Sequence, residues 1–210
     1  MVTVIVDYNS GNLHSAAKSF QRMAADPADI VVSSAPDVVV RADRIVLPGV
    51  GAFADCRAGL ASYDGLFEAI EEAVLARAIP FLGICVGMQL MAARGLEFGE
   101  TPGFDWIGGD VTRLTPADPT LKIPHMGWND LVQIADHPVL SGIQPGDHAY
   151  FVHSYHMAVS DPAHRMATVS YGQTVTAAIG RDNIFGTQFH PEKSQATGLR
   201  LIANFLGWKP

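Results

Sequence analysis

The stretch Gly83-Ile84-Cys85-Val86-Gly87 constrains this chain more than any other. It follows the apolar run Ala78-Ile79-Pro80-Phe81-Leu82, which reads as a buried strand, and precedes Met88-Gln89-Leu90-Met91-Ala92-Ala93-Arg94, whose propensities predict a helix. Glycines on both sides of a reactive side chain at a strand-to-helix turn describe a nucleophile elbow, with Cys where hydrolases carry Ser. The central residue of such a turn is strained, and any side chain beside it would collide with the strand or the helix. The helix start directs backbone N–H groups and the positive dipole end toward the sulfur, which favours thiolate over thiol. A short Gly-rich turn around a buried thiol is the bland alternative, so the elbow needs a base to be more than a turn.

Phe189-His190-Pro191-Glu192-Lys193 supplies one. In an extended backbone residues i and i+2 project to the same face, so imidazole and carboxylate can meet there. Pro191 steers His190 away from helical angles and toward that conformation. A thiol needs a base to take its proton, and the base needs a carboxylate to fix its tautomer and stabilise the imidazolium. Cys85, His190 and Glu192 fill these three roles.

The order of elements predicts the fold. Val2–Val6, Asp29–Ser33 and Arg44–Leu47 read as strands, Ser15–Met23, Phe53–Ala61 and Leu66–Arg77 as helices, with Leu66, Ile70 and Val74 on one face. Strands alternating with helices imply a mostly parallel sheet flanked by helices, the α/β class, with the active site at the carboxyl ends of the strands. From Trp106 onward the pattern changes. Asp110–Leu114, Leu131–Ile134, Tyr150–Val159, Ala167–Ser170, Thr176–Ile179 and Ile184–Gln188 are β-like and joined by Gly, Pro and Asp turns, so additional antiparallel strands are expected in this half. Thr197–Leu206 reads as a closing amphipathic helix, and no repeat or linker divides residues 1–210, which are read as one domain.

Composition narrows the function. The net charge of −7, with no Lys/Arg cluster, argues against a nucleic-acid surface. No apolar run approaches the roughly 18 residues needed to span a bilayer. Met1–Asp7 reads as a first strand rather than a signal peptide, and the two cysteines, Cys56 and Cys85, are expected to be unpaired in a cytoplasmic protein. Cys56 lies inside a predicted helix and is read as a bystander. The eight histidines form no His-x-x-x-His pattern and there is no Cys-x-x-Cys, so no metal is expected. Leu47-Pro48-Gly49-Val50-Gly51-Ala52-Phe53 is a strand end, a Gly-rich loop and a helix start. It lacks the Lys-Ser/Thr pair of a phosphate loop, but it can turn the N–H of Val50 or Gly51 toward a developing oxyanion, with Val86 as the second donor.

With these residues on the page, the chain resembles the triad (class I) glutamine amidotransferases. Gly83–Gln89 matches that family's nucleophile motif and His190-Pro191-Glu192 its histidine–glutamate motif, and the order Cys, His, Glu differs from the nucleophile, acid, His order of serine α/β-hydrolases. Within the family, Asp7–Leu13, Leu47–Phe53, Pro124–Asn129 and His190–Ser194 resemble the branch that serves as glutaminase subunits of imidazole glycerol phosphate synthases. No motif position departs from the pattern. The resemblance implies hydrolysis of glutamine to glutamate and ammonia through a γ-glutamyl thioester on Cys85, without a cofactor. It implies that Gln89, Glu97, Tyr150, His153 and Ser154 hold the amino-acid end of glutamine. It also implies a heterodimer with a cyclase subunit of (β/α)₈-barrel fold that receives the ammonia, with Asn12, Met126, Trp128 and Lys193 at the contact. A stand-alone cysteine γ-glutamyl hydrolase would carry the same elbow and base, an amidotransferase subunit serving another acceptor would share most motifs, and a binding domain would need neither.

Overall fold

The computed structural model describes residues 1–210. Its strands are β1 (Thr3–Val6), β2 (Ile30–Ser33), β3 (Arg44–Gly49), β4 (Phe81–Cys85), β5 (Arg94–Gly95), β6 (Thr101–Pro102), β7 (Gly109–Arg113), β8 (His125–Ile134), β9 (His148–His153), β10 (Tyr155–Val159), β11 (Arg165–Ser170), β12 (Thr174–Arg181) and β13 (Ile184–Thr187). Its α-helices are α1 (Leu13–Met23), α2 (Pro36–Val39), α3 (Phe53–Ala61), α4 (Leu66–Glu71), α5 (Val86–Gln89) and α6 (Gln195–Gly207).

Nine strands form one sheet in the order β2-β1-β3-β4-β13-β12-β11-β8-β9. The five from β2 to β13 run parallel, and the rest pair antiparallel. The parallel strands β1, β3, β4 and β13 are buried at every residue, as a sheet covered on both faces requires. A second sheet of four strands, β10-β7-β5-β6, stands beside it. The 55 buried apolar residues form one continuous cluster. The expected α/β architecture is therefore the observed one, and β4, which ends at Cys85, lies between β3 and β13 near the middle of the sheet. No helix is long and apolar enough to cross a membrane.

Four expectations need correction. The helix after Cys85 is only Val86–Gln89. Beyond it the carbonyls of Leu90, Met91 and Ala92 accept hydrogen bonds from the N–H groups of residues 104–107, so tertiary pairing replaces the helical ladder that propensity favours. The predicted helix Leu66–Arg77 ends as α4 at Glu71 and continues as a π-turn over Glu72–Ala76, in which Arg77 N–H reaches back to Glu72 O. Its predicted apolar face is intact, since Leu66, Ile70 and Val74 are all buried. The run Tyr150–Val159 is two strands in two sheets, changing sheets at Ser154, whose carbonyl accepts from Leu114 N–H. Finally, the strand expected from Leu131 begins at His125 and pairs over His125–Asp130 with β9.

The two ends of the chain are tied to this frame. Phe20 of α1 meets Phe205 of α6 edge-on at 6.4 Å. Arg44, 3% exposed at the start of β3, donates to the carbonyls of Phe205 and Trp208 and so caps the end of α6. Replacing Arg44 by Met leaves the Trp208 carbonyl without a donor and Phe205 O with only that of Trp208 N–H, at a cost of about 1–3 kcal/mol. The midpoint of thermal unfolding should fall by about 2–12 °C, as read by circular dichroism, while Cys85 stays as reactive as before.

Candidate active site

Cys85 sits at φ 55°, ψ −111°, a left-handed conformation that costs a non-glycine residue about 1–3 kcal/mol and persists only where its surroundings enforce it. The flanking glycines do so. A Cβ on Gly87 would stand 1.8 Å from Leu47 O, and one on Gly83 would stand 2.5 Å from Gly87 O. Backbone lies against backbone at both points, so neither position has room for a side chain. The chain folds into the elbow that the sequence predicts, and the four residues of α5 put only one helical turn behind the sulfur.

His190 follows β13 in an extended conformation, φ −93° and ψ 100°. Glu192 is not on the same extended face, as expected, but in a 3₁₀ turn over Pro191–Lys193 that curls the carboxylate back to the ring. Nδ1 of His190 lies 2.8 Å from Glu192 Oε1, and both side chains are 3% exposed. A carboxylate only accepts, so Nδ1 carries the proton and Nε2 faces the thiol side. Nε2 is buried with no conventional hydrogen-bond partner of its own. Burial alone would drive the imidazole toward its neutral form; interaction with the Cys85 sulfur and the Glu192 carboxylate outweighs it and pushes the pKa up to about 10. The second carboxylate oxygen, Oε2, is buried and unpartnered. Ser194 secures the turn, accepting from Tyr150 N–H and donating to His190 O.

Cys85 and His190 line one cavity of about 280 Å³ together with Val50, Gly51, Val86, Gln89, Glu97, Pro124, Val152, His153, Ser154 and Tyr155. The structure thus brings Cys85 and His190 together with all the expected oxyanion and glutamine-binding residues except Tyr150; Glu192 joins through its hydrogen bond to His190, outside the lining. Tyr150 stands outside the lining, beneath Trp128 (5.9 Å between ring centroids) and Lys193 (Nζ 5.7 Å from the ring). The loop donors are unequal. Val50 N–H points to Ser10 Oγ at 3.0 Å, and Ser10 Oγ in turn donates to Val50 O at 2.8 Å. Val50 is therefore not directed at a ligand in this conformation. Gly51, at φ 99°, has open space around it, and Val86 as the first residue of α5 has an N–H with no intrahelical partner.

The glutamine-binding candidates also differ. Glu97 accepts from Phe53 N–H through Oε2 at 2.9 Å and borders the cavity. Both ring nitrogens of His153 are engaged within the protein, Nδ1 with Tyr155 O at 2.9 Å and Nε2 with His125 Nδ1 at 3.0 Å. Burial holds its pKa down at about 3, so it offers a ligand the wall of a neutral ring rather than a charge. Gln89 Nε2 donates to Tyr155 O and Gln188 Oε1, both at 3.0 Å, which leaves its oxygen as the open group. Sequence reasoning missed Ser10, His125 and Gln188. For Gln188 there was a signal, a single amide inside the apolar run Ile184–Phe189.

Beside the cavity one face of β8 carries exposed apolar side chains, with the exposed carboxylate of Asp130 among them. Met126 is 62%, Trp128 46% and Val132 49% exposed, at alternate positions, and Trp128 pairs in register with Tyr150 of β9. Lys193 is adjacent, while Asn12 caps α1 by accepting from Ser15 N–H.

The pattern of the family "Glutamine amidotransferase class-I" matches residues 4–207. The chain is 66% identical to the imidazole glycerol phosphate synthase subunit HisH of Cereibacter sphaeroides, over all of both chains. It is 60% identical to the same subunit of Ruegeria pomeroyi and 61% identical to that of Rhodospirillum rubrum, again over all of both chains. Among solved structures it resembles a glutamine amidotransferase (TM-score 0.72, 15% identity, covering 98% of this chain and 99% of that one). It also resembles a putative GMP synthase component from Thermoplasma acidophilum (TM-score 0.70, 19% identity, covering 99% and 93%). These last two likenesses speak to the fold.

The His190–Glu192 pair sets a titration. An unfolded imidazole releases its proton near 6.5 and the folded one near 10, so the pair's contribution to stability is full below 6.5 and is lost as pH rises toward 10. Glu192→Gln removes one of the two interactions that raise it. The His190 midpoint, followed by ¹⁵N NMR of the ring, should then drop well below its value in the unsubstituted chain; an unmoved midpoint would show that Glu192 does not hold the charge.

Proposed function

This chain belongs to the class I glutamine amidotransferase family, and from that premise we propose that it is the glutaminase subunit of an imidazole glycerol phosphate synthase. The observation that carries the reading is identity of 60–66% with HisH subunits over the whole length of both chains. The site supports it with a strained cysteine and a charged imidazole on one cavity and a carboxylate bonded to that imidazole.

Cys85 is the nucleophile. Its sulfur attacks the γ-carboxamide carbon of glutamine, forming the C–S bond and placing a negative charge on the carboxamide oxygen. Val86 N–H and the N–H of Val50 or Gly51 receive that charge. The intermediate collapses with cleavage of the C–N bond, and His190, protonated at Nε2, delivers that proton to the leaving nitrogen as ammonia departs. Water then attacks the γ-glutamyl thioester, His190 takes the water's proton, and the C–S bond breaks to release glutamate. Glu192 keeps the ring oriented throughout and stabilises its charge whenever Nε2 holds the proton. The Oε1 of Gln89 and the carboxylate of Glu97 are acceptors suited to the α-ammonium group of the substrate.

Val50 N–H must leave Ser10 Oγ before it can serve the oxyanion, so full activity depends on the loop turning. The exposed face of Met126, Trp128 and Val132, with Lys193 beside it over Tyr150, is where a cyclase subunit of (β/α)₈-barrel fold docks, and Asn12 at the start of α1 is a further candidate contact. The cyclase adds the ammonia to a phosphorylated ribulosyl intermediate, giving imidazole glycerol phosphate and an aminoimidazole carboxamide ribotide. Tyr150, beneath Trp128 and Lys193, belongs with this surface rather than with the substrate.

If this chain supplies ammonia and nothing else, acceptor chemistry does not need the sulfur. In a complex carrying Cys85→Ala, glutamine should fail as nitrogen donor, while ammonium salt at a pH that provides free ammonia should still yield imidazole glycerol phosphate. An assembled mutant complex that responds to neither donor would overturn the proposed role.

A further inference from the structure

Gln188 ends a hydrogen-bond network whose direction is fixed at every link. Tyr155 O can only accept, so the groups facing it donate: His153 Nδ1 at 2.9 Å and Gln89 Nε2 at 3.0 Å. With its nitrogen placed there, Gln89 also donates to Gln188 at 3.0 Å, which must therefore present Oε1 to Gln89 and Nε2 to the other side. On that side, 3.7 Å away, is Cys85 Sγ. The other arm is settled in the same way. With Nδ1 of His153 protonated and the ring neutral, Nε2 accepts from His125 Nδ1, and His125 Nε2 accepts from Asn129 Nδ2 at 3.1 Å. The orientations of two amides and two imidazoles thus follow from a single carbonyl.

The sulfur needs what this network provides. Cys85 is 4% exposed, so its thiolate has little water around it, and α5 supplies only one helical turn of backbone donors. A thiol is a weak acceptor, whereas a thiolate takes a charge-assisted hydrogen bond. Gln188 is fully buried, where an apolar side chain would avoid the desolvation of an amide; what the amide adds is an N–H aimed at the sulfur. We propose that Gln188 donates through Nε2 to the Cys85 thiolate and holds the sulfur in its reactive form, and that Gln89, Tyr155 O and the His153–His125–Asn129 arm keep Gln188 in the donating orientation. This rests on Cys85 being the nucleophile of the proposed glutaminase.

The test uses the full chain, iodoacetamide as probe and mass spectrometry to read alkylation of Cys85 and Cys56 separately across a pH series. Gln188→Met removes the donor at similar volume, and Gln188→Glu keeps the oxygen toward Gln89 but puts an acceptor against the sulfur. Relative to the unsubstituted chain, the midpoint of Cys85 alkylation should rise by about one pH unit in Gln188→Met, tenfold in thiolate fraction, and by more in Gln188→Glu. The titratable groups near the sulfur, namely His190, His153 and Glu97 in the cavity with Tyr8 and Cys56 close by, are common to all three proteins, and Gln188→Glu adds one carboxylate to them. A folded Gln188 variant with an unchanged midpoint overturns the proposal. If neither variant folds, NMR of the unsubstituted chain decides: the Gln188 side-chain amide signal should shift as Cys85 ionises and stay flat in Cys85→Ala, and a flat signal in both overturns the proposal. Failure of the underlying reading looks different, because Cys85 would then react no faster than Cys56 and Cys85→Ala would still hydrolyse glutamine.

Discussion

The contact between Gly87 and the carbonyl of Leu47 is the constraint on which the site depends. A Cβ there would lie 1.8 Å from that oxygen, so the end of β3 and the elbow touch backbone to backbone. The contact sets the height of Cys85 above the sheet and places the Gly49-Val50-Gly51 loop, which continues from β3, beside the sulfur. Gly49 is held on the other side, where a Cβ would meet Tyr8 Oη at 2.7 Å, and that hydroxyl donates to Pro48 O. The proposed nucleophile and oxyanion loop are therefore parts of one packed unit. The parallel sheet provides it by running β3 and β4 side by side, with Gly49 in register with Cys85.

Three buried histidines show how neighbours decide charge. His190, His153 and His125 are all taken out of water, which by itself favours the neutral ring. His190 faces a carboxylate and a sulfur and stays charged. His153 faces a carbonyl and another imidazole and is held down at about 3, and His125, with an imidazole and an amide as partners, at about 4. A charged ring and two neutral ones thus sit within one site, and only the charged one has a proton to exchange during turnover. The neutral pair is suited to holding hydrogen bonds in one direction.

Much of this was legible in the sequence where local chemistry and fold agree. The elbow could be read because two glycines around a cysteine have a steric reason that operates wherever the turn forms, and the parallel half because buried strands are continuous apolar runs. What escaped is what tertiary pairing decides. Met88–Arg94 has helical propensity, yet residues 104–107 capture the carbonyls of Leu90, Met91 and Ala92, a partnership from a dozen or more residues away. Ser154 turns the chain from one sheet to the other, but serine is at home in a strand, so nothing in Tyr150–Val159 announces the break. The meeting of His190 and Glu192 was foreseen and its geometry was not, because a tight 3₁₀ turn and an extended strand both bring residues i and i+2 close. Gln188 was visible only as an amide in an apolar run, since its partners come from α5 and the end of β4 and its meaning lies in the direction of its hydrogen bonds.

The central claim is that glutamine is opened on the sulfur of Cys85, and the covalent intermediate tests it most directly. The chain, assembled with the proposed cyclase subunit, would be mixed with glutamine, quenched in acid before the steady state and analysed by peptide mass spectrometry. The account predicts that the peptide containing Cys85 gains the mass of one γ-glutamyl group, and that the gain disappears as the thioester is hydrolysed. Glutamate and ammonia appearing with no such adduct, or with the adduct on Cys56, would contradict it.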